Sequence, residues 1–125
     1  RPGGDVNDAE RDPPVVAAEM AGYLALIATR RLYERQPALW DRGESGRAHT
    51  LADFEHHFRA LSMLDEPLFE GHVAYCRGLF TARGFPLRWL DDAWAVMLEV
   101  TKAEGPEAVA TIASRILSKA GGPTL

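Results

Sequence analysis

The chain has 125 residues, 46% of them hydrophobic, with 14 basic against 18 acidic side chains and a formal net charge of -4. That length fits one domain with one modest core. The acidic balance and scattered basic residues, with Arg30-Arg31 the only adjacent pair, give no patch for neutralising phosphates and exclude nucleic acid as an expected partner. The lone Cys76 excludes an internal disulfide, and no apolar run is long enough to span a membrane, so a reducing cytoplasm is the expected compartment.

Arg1 to Pro14 holds Gly3-Gly4, several charges and Pro13-Pro14, with almost no large apolar residue. It reads as a flexible lead-in and lacks the apolar core of a signal peptide. The chain begins with Arg rather than Met, as a piece of a longer protein would. The helical domain is expected over residues 15–120, followed by a short tail at 121–125.

The first helix is predicted from Val15 to Gln36. Met20, Tyr23, Leu24 and Ile27 recur at helical spacing, and Ala17, Ala21, Ala25 and Ala28 leave room for a neighbour to come close. Pro37 cannot continue the hydrogen-bond ladder and ends it. Ala38 to His49 is expected to be a charged, glycine-bearing connection anchored by Leu39 and Trp40.

Thr50 is expected to cap a second helix, with Asp53 favouring its positive end. Leu51, Phe54, Phe58 and Leu61 form its buried stripe. Asp65 should cap a third helix, with Pro67 in the first turn, where a missing N–H costs nothing. Phe69, Val73, Cys76 and Phe80 make one apolar row, and Leu68, His72, Tyr75 and Leu79 the next. Gly84 is the expected left-handed end.

Pro86 begins a fourth helix. Leu87, Leu90, Trp94, Met97, Leu98 and Thr101 give one face, which Trp89, Ala93, Val96 and Val100 extend sideways. Gly105-Pro106 separates it from a fifth helix striped by Val109, Ile112, Ala113, Ile116 and Leu117, which Gly121-Gly122-Pro123 closes. No segment alternates as a strand does. The predicted fold is all-α, a single antiparallel bundle of about five helices.

The chemistry centres on histidine. His56 and His57 are neighbours on one helix and point about 100° apart. His57 lies beside the apolar stripe, and His72 sits on the following helix, so the two meet if those helices pack antiparallel. The simplest reading is an imidazole bonding across the bundle. The alternative is a metal or cofactor site with His57 and His72 as ligands to a metal ion, haem or another tetrapyrrole, completed by Glu55, Glu70 or Asp53, and a further alternative is a metal-dependent enzyme using Glu55, His56 and His57. Cys76 on the apolar row reads as a core residue. Asp91 and Asp92 diverge on the helix surface and favour its N-terminal dipole. No phosphate loop or nucleophile elbow is present, so no catalytic residue is assigned and no cofactor is expected outright.

A five-helix domain has difficulty burying both apolar rows of the fourth helix. Trp89, Ala93, Val96 and Val100 are therefore expected to form a contact surface, most simply in a homodimer. A small apolar pocket between helices is the competing use.

Four segments run in a familiar order: His57-Phe58-x-x-Leu61, then DEPLFEGHVxY from Asp65 to Tyr75, ARGFP from Ala82 to Pro86, and LxxxWxVML from Leu90 to Leu98. This arrangement resembles the helical N-terminal sensory domains of bacterial stress-response (RsbR-like, stressosome) regulators and the helical regions that precede cobalamin-binding domains in sensory proteins. The resemblance covers roughly Thr50 to Leu117. His72 stands where those domains usually have Tyr, and Tyr75-Cys76 replaces their Trp-Ala. The resemblance implies a signalling or transcription-regulation role, exercised on other regulatory proteins by a non-catalytic sensor domain. Trp40 and Trp94 are followed ten residues later by Thr50 and Glu104 rather than by the Glu-His pair of light-sensing relatives, so cobalamin is not implied for this chain.

Overall fold

The computed structural model describes residues 13–120 of the chain, with side chains from Glu19 onward. It is all-α. Five α-helices follow one another, α1 (Pro13–Arg35), α2 (Gly43–Ser62), α3 (Glu66–Arg83), α4 (Leu87–Glu104) and α5 (Glu107–Ala120), with a 3-10 turn at Pro37–Arg42 between the first two. No strand occurs among the described residues. No helix there is long and apolar enough to cross a membrane. The expected lead-in up to residue 12 and the tail at 121–125 lie outside the described residues, while Pro13 and Pro14 belong to the first turn of α1.

The core-facing row of α1 is Ala21, Leu24, Ala25, Ala28 and Leu32, all buried. This shifts the expected stripe by one row: Met20 and Ile27 are only partly buried, and Tyr23 is 55% exposed. The reason is steric. Three alanines on one face let α2 pack close to the α1 backbone, and this is the most extensive helix pair in the molecule. The larger residues take the flanks, where the Tyr23 hydroxyl donates to Glu104 Oε1 at 3.2 Å.

The connection expected at residues 38–49 is helical instead. Pro37–Arg42 forms the 3-10 turn, with Leu39 buried and Trp40 edge-on to Tyr33 at 4.8 Å between centroids. Gly43, at φ +73°, then redirects the chain into α2. Thr50 is consequently not a cap. It lies inside α2, and its hydroxyl donates to the Gly46 carbonyl one turn earlier at 3.1 Å. Glycine reads as a loop signal in sequence, but Gly46 is buried in the first turns of α2, where an added Cβ would lie 2.5 Å from Arg42 Cβ. Close packing, not a turn, requires glycine there.

The other boundaries follow local chemistry. Leu68 N–H donates to the Asp65 carboxylate at 3.1 Å, the capping bond expected of that residue, with Pro67 in the first turn. Gly84 adopts φ 72° and ψ 21° and ends α3 in the left-handed conformation. Gly105 ends α4, and the stripe on α5 is buried as its spacing predicts.

Trp94, Phe54, Phe58, Phe69, Leu24 and Leu61 are the largest fully buried side chains. They come from the first four helices, so the core is shared. α5 closes it by packing chiefly on α4. Ion pairs tie the exterior: Arg35 to Glu99 at 2.7 Å and Arg115 to Glu66 at 2.6 Å.

Candidate functional site

Phe54, His57, Phe58 and Leu61 are the buried large residues of α2, at the spacing that keeps one helix face inward. His57 therefore enters the core as part of the apolar stripe. Its ring centroid lies 4.9 Å from that of Trp94 on α4. On α3, His72 and Cys76 are four residues apart, so they stack on one face. The two helices bring these groups together. His57 Nδ1 is 2.8 Å from His72 Nε2, and Cys76 Sγ is 3.6 Å from the same His72 nitrogen. Phe69 stacks on the His72 ring at 6.0 Å, and His56 approaches it from α2 at 5.3 Å.

The electrostatics follow from burial. His57 is 9% exposed. Loss of water, and then the neighbouring His72 and His56, push its pKa down to about 3. His72 is shifted the same way by burial and by His56. Both rings are held neutral, which suits a bond in which one ring N–H donates and the other ring nitrogen accepts. Burial, with help from Asp53, pushes the Cys76 thiol up to about 11. An unligated Cys76 is thus a thiol and a poor nucleophile. Burial also raises the Asp53 carboxyl, against the pull of His49, Arg42, His56 and Arg83.

These groups border a cavity of about 210 Å³ between α1, the 3-10 turn, α2, α3 and α4. Leu32, Leu39, Phe54, Leu79, Phe80, Trp89 and Ala93 contribute apolar wall, and Gln36, Arg42, Thr50 and Asp53 contribute polar groups. Arg42 lies over the Trp89 ring, 5.7 Å from its centroid. Gln36 donates its side-chain amide to Asp92.

The residues singled out from sequence divide accordingly. His57 and His72 meet directly. Glu55, His56 and His57 do not form a set: the Glu55 carboxylate lies against Gly22 of α1, whereas His56 and His57 border the cavity. The contact surface expected on α4 is placed otherwise. Val96 and Val100 are fully buried in the chain's own core, and Trp89 and Ala93 line the cavity. α1 and α5 both pack on α4, and Val96 and Val100 are covered within one chain, whereas Trp89 and Ala93 are only partly buried. The pocket that competed for them takes the remainder.

Arg42 and Gln36 are the site residues that sequence reasoning missed; from sequence, Asp53 is a possible partner of the two histidines, and Cys76 reads as core. The His72 to Cys76 spacing was a legible signal, since residues four apart share a helix face. Nothing in the sequence brings Arg42 and Gln36 to the cavity, because their placement depends on the 3-10 turn. No protein-family model, curated protein or solved structure matches the chain.

Proposed function

We propose that this chain is a non-catalytic regulatory domain that takes up a small, largely apolar molecule in the cavity beside His57 and His72 and signals its occupancy through protein–protein contact. The observation that carries this reading is the cavity itself: apolar and aromatic walls with a few convergent polar groups, the general form of a small-molecule site. Its size narrows the ligand. At about 210 Å³ it is smaller than the roughly 300–1,000 Å³ typical of pockets for drug-sized molecules. It is comparable with the approximately 150 Å³ apolar cavity that takes up benzene. One aromatic ring or a short branched chain fits, with a single polar group turned toward Arg42 or Gln36.

The resemblance of Thr50 to Leu117 to sensory modules of stress-response regulators supports the regulatory half of the reading. Partners would be a second copy of the chain or other regulatory proteins in the cytoplasm. Met63, Leu64 and Leu68, all about half exposed around the α2–α3 turn, supply apolar surface for such contact. The tetrapyrrole alternative has less support, because a macrocycle is much larger than one aromatic ring and the two imidazoles are turned toward each other.

Titration of the protein with benzoate and with indole, followed by amide chemical shifts, tests the reading. Saturable shifts are expected at Phe54, Leu79, Trp89 and Ala93, with no comparable change on α5. Shifts scattered over the surface, or none with either probe at millimolar concentration, would remove it. Sedimentation with and without the bound probe reports whether occupancy alters self-association.

A further inference from the structure

Among the described residues, one group of side chains has the composition and spacing of a metal site. His57, His72 and Cys76 offer three ligand atoms, all within 4.8 Å of one another. We propose that His57, His72 and Cys76 bind a borderline-soft divalent ion of the zinc class, with a fourth coordination position opening toward the cavity. The proposal does not depend on the cavity taking up an organic molecule.

Distances support a shared ion. With Zn–N near 2.05 Å and Zn–S near 2.3 Å in tetrahedral geometry, a nitrogen and a sulfur on one ion lie about 3.6 Å apart, and two nitrogens about 3.3 Å. Cys76 Sγ and His72 Nε2 are 3.6 Å apart, so that pair needs no rearrangement. His57 Nδ1 and His72 Nε2, now 2.8 Å apart, must separate by about half an ångström and exchange their hydrogen bond for two metal bonds. His72 is the side chain free to make that adjustment, because it is only partly buried and borders the cavity.

Ligand chemistry selects the ion. Two imidazoles and a thiolate favour zinc and its neighbours over magnesium and calcium, which prefer oxygen. On binding, the Cys76 S–H bond breaks, a metal–sulfur bond forms, and the proton leaves to buffer. Both imidazoles bind as neutral ligands: the ring that donates the shared N–H loses that proton from its ligating nitrogen and takes one up from buffer on its other nitrogen, so its charge is unchanged. The thiolate and the Asp53 carboxylate, on the wall of the same cavity, supply two negative charges against the dication. The fourth position is left to water or an incoming ligand, as in sites with three protein ligands. Packing alone would account for Cys76 in its apolar row, but it does not require three ligand atoms from two helices to converge at the edge of a cavity.

The experiment uses the full chain, stripped with a chelator and titrated with Co²⁺. One Co²⁺ should bind per chain, with thiolate-to-cobalt charge-transfer absorption in the near ultraviolet and d–d bands in the visible. One equivalent of Zn²⁺ should bleach both, and Mg²⁺ should not. Cys76→Ala should lose the charge-transfer band, and His72→Gln should lose stoichiometric binding. These two carry the test, since His57→Gln alters a buried position and can fail to fold. Absence of the band in the unaltered chain overturns the site, as does the same band in Cys76→Ala. Stoichiometric uptake of Cu⁺ without Co²⁺ or Zn²⁺ overturns its assignment to a divalent ion. A negative result leaves the benzoate and indole titrations unaffected, so the two proposals fail separately.

Discussion

His57 and His72 share one hydrogen bond, Nδ1 to Nε2 at 2.8 Å, in which a single proton lies between two neutral rings. Protonating either ring leaves a cation facing its partner in surroundings formed by Phe54, Phe69 and Trp94. The charged form loses its water and gains no counter-charge from the other imidazole.

The pH dependence of stability follows for the metal-free chain. His57 titrates near 6.5 when unfolded and near 3 when folded. Above pH 6.5 both states are neutral and the linkage is silent. Below it the unfolded chain takes up a proton that the native chain refuses, so stability falls as pH falls, by up to about 1.4 kcal/mol per unit, until pH approaches 3. His72 shifts in the same direction and steepens the slope. His56 and His72 are the charged or titratable neighbours that lower His57, and Asp53 stands on the cavity wall. Unfolding free energies from urea titrations at pH 7.5 and 5.0 should differ by more than about 1 kcal/mol, and His57→Phe should flatten the difference. Equal free energies in the unaltered chain would contradict a buried neutral pair.

Asp65 tests the start of α3. Its carboxylate accepts from Leu68 N–H at 3.1 Å on an exposed surface. Asp65→Ala should cost about 1 kcal/mol, and Asp65→Asn, which keeps an accepting oxygen, only a few tenths. Equal losses from both, measured by chemical denaturation, would show that charge rather than the capping bond matters there.

The sequence made the helices after Asp65 legible because each boundary there is carried by a residue with one strong preference: Asp65 at a cap, Gly84 in the left-handed region, Gly105-Pro106 as a stop. The 3-10 turn and the start of α2 were not legible. Gly43 and Gly46 look alike in sequence, yet one supplies a positive φ and the other close packing. For the site, helical spacing foresaw the meeting of His57 with His72. The fate of Val96 and Val100 was not foreseeable, since it depends on α1 and α5 both reaching α4, a long-range arrangement that periodicity does not encode.

Gly46→Ala sets two effects of opposite sign against each other. Alanine gains up to about 1 kcal/mol over glycine inside a helix. Its Cβ would meet Arg42 Cβ at 2.5 Å, a clash that only a shift of the 3-10 turn relieves, and such overpacking costs roughly 1–3 kcal/mol. The net expectation is destabilisation of about 1 kcal/mol, with Arg42 displaced from the Trp89 ring. Denaturation reports the first and indole fluorescence the second. A stabilised variant would mean that the turn moves freely.

Ala93 and Val100 lie on the same helix and separate a cavity wall from a packed core. Ala93 borders the roughly 210 Å³ cavity, whereas Val100 is fully buried in the core and does not line that cavity. Ala93→Leu extends a side chain into empty space, and each methylene buried there is worth about 0.8 kcal/mol, so filling should stabilise by about 0.5–2 kcal/mol after rotamer cost. Val100→Leu enlarges a fully buried core side chain and should cost about 1–3 kcal/mol. The same Ala93→Leu change should abolish the shifts induced by benzoate and indole, because ligand and leucine compete for one volume. Thermal melts and the two titrations check both halves. If Ala93→Leu destabilises as much as Val100→Leu, the cavity is not an open volume. If it stabilises yet leaves ligand binding intact, the probes bind elsewhere.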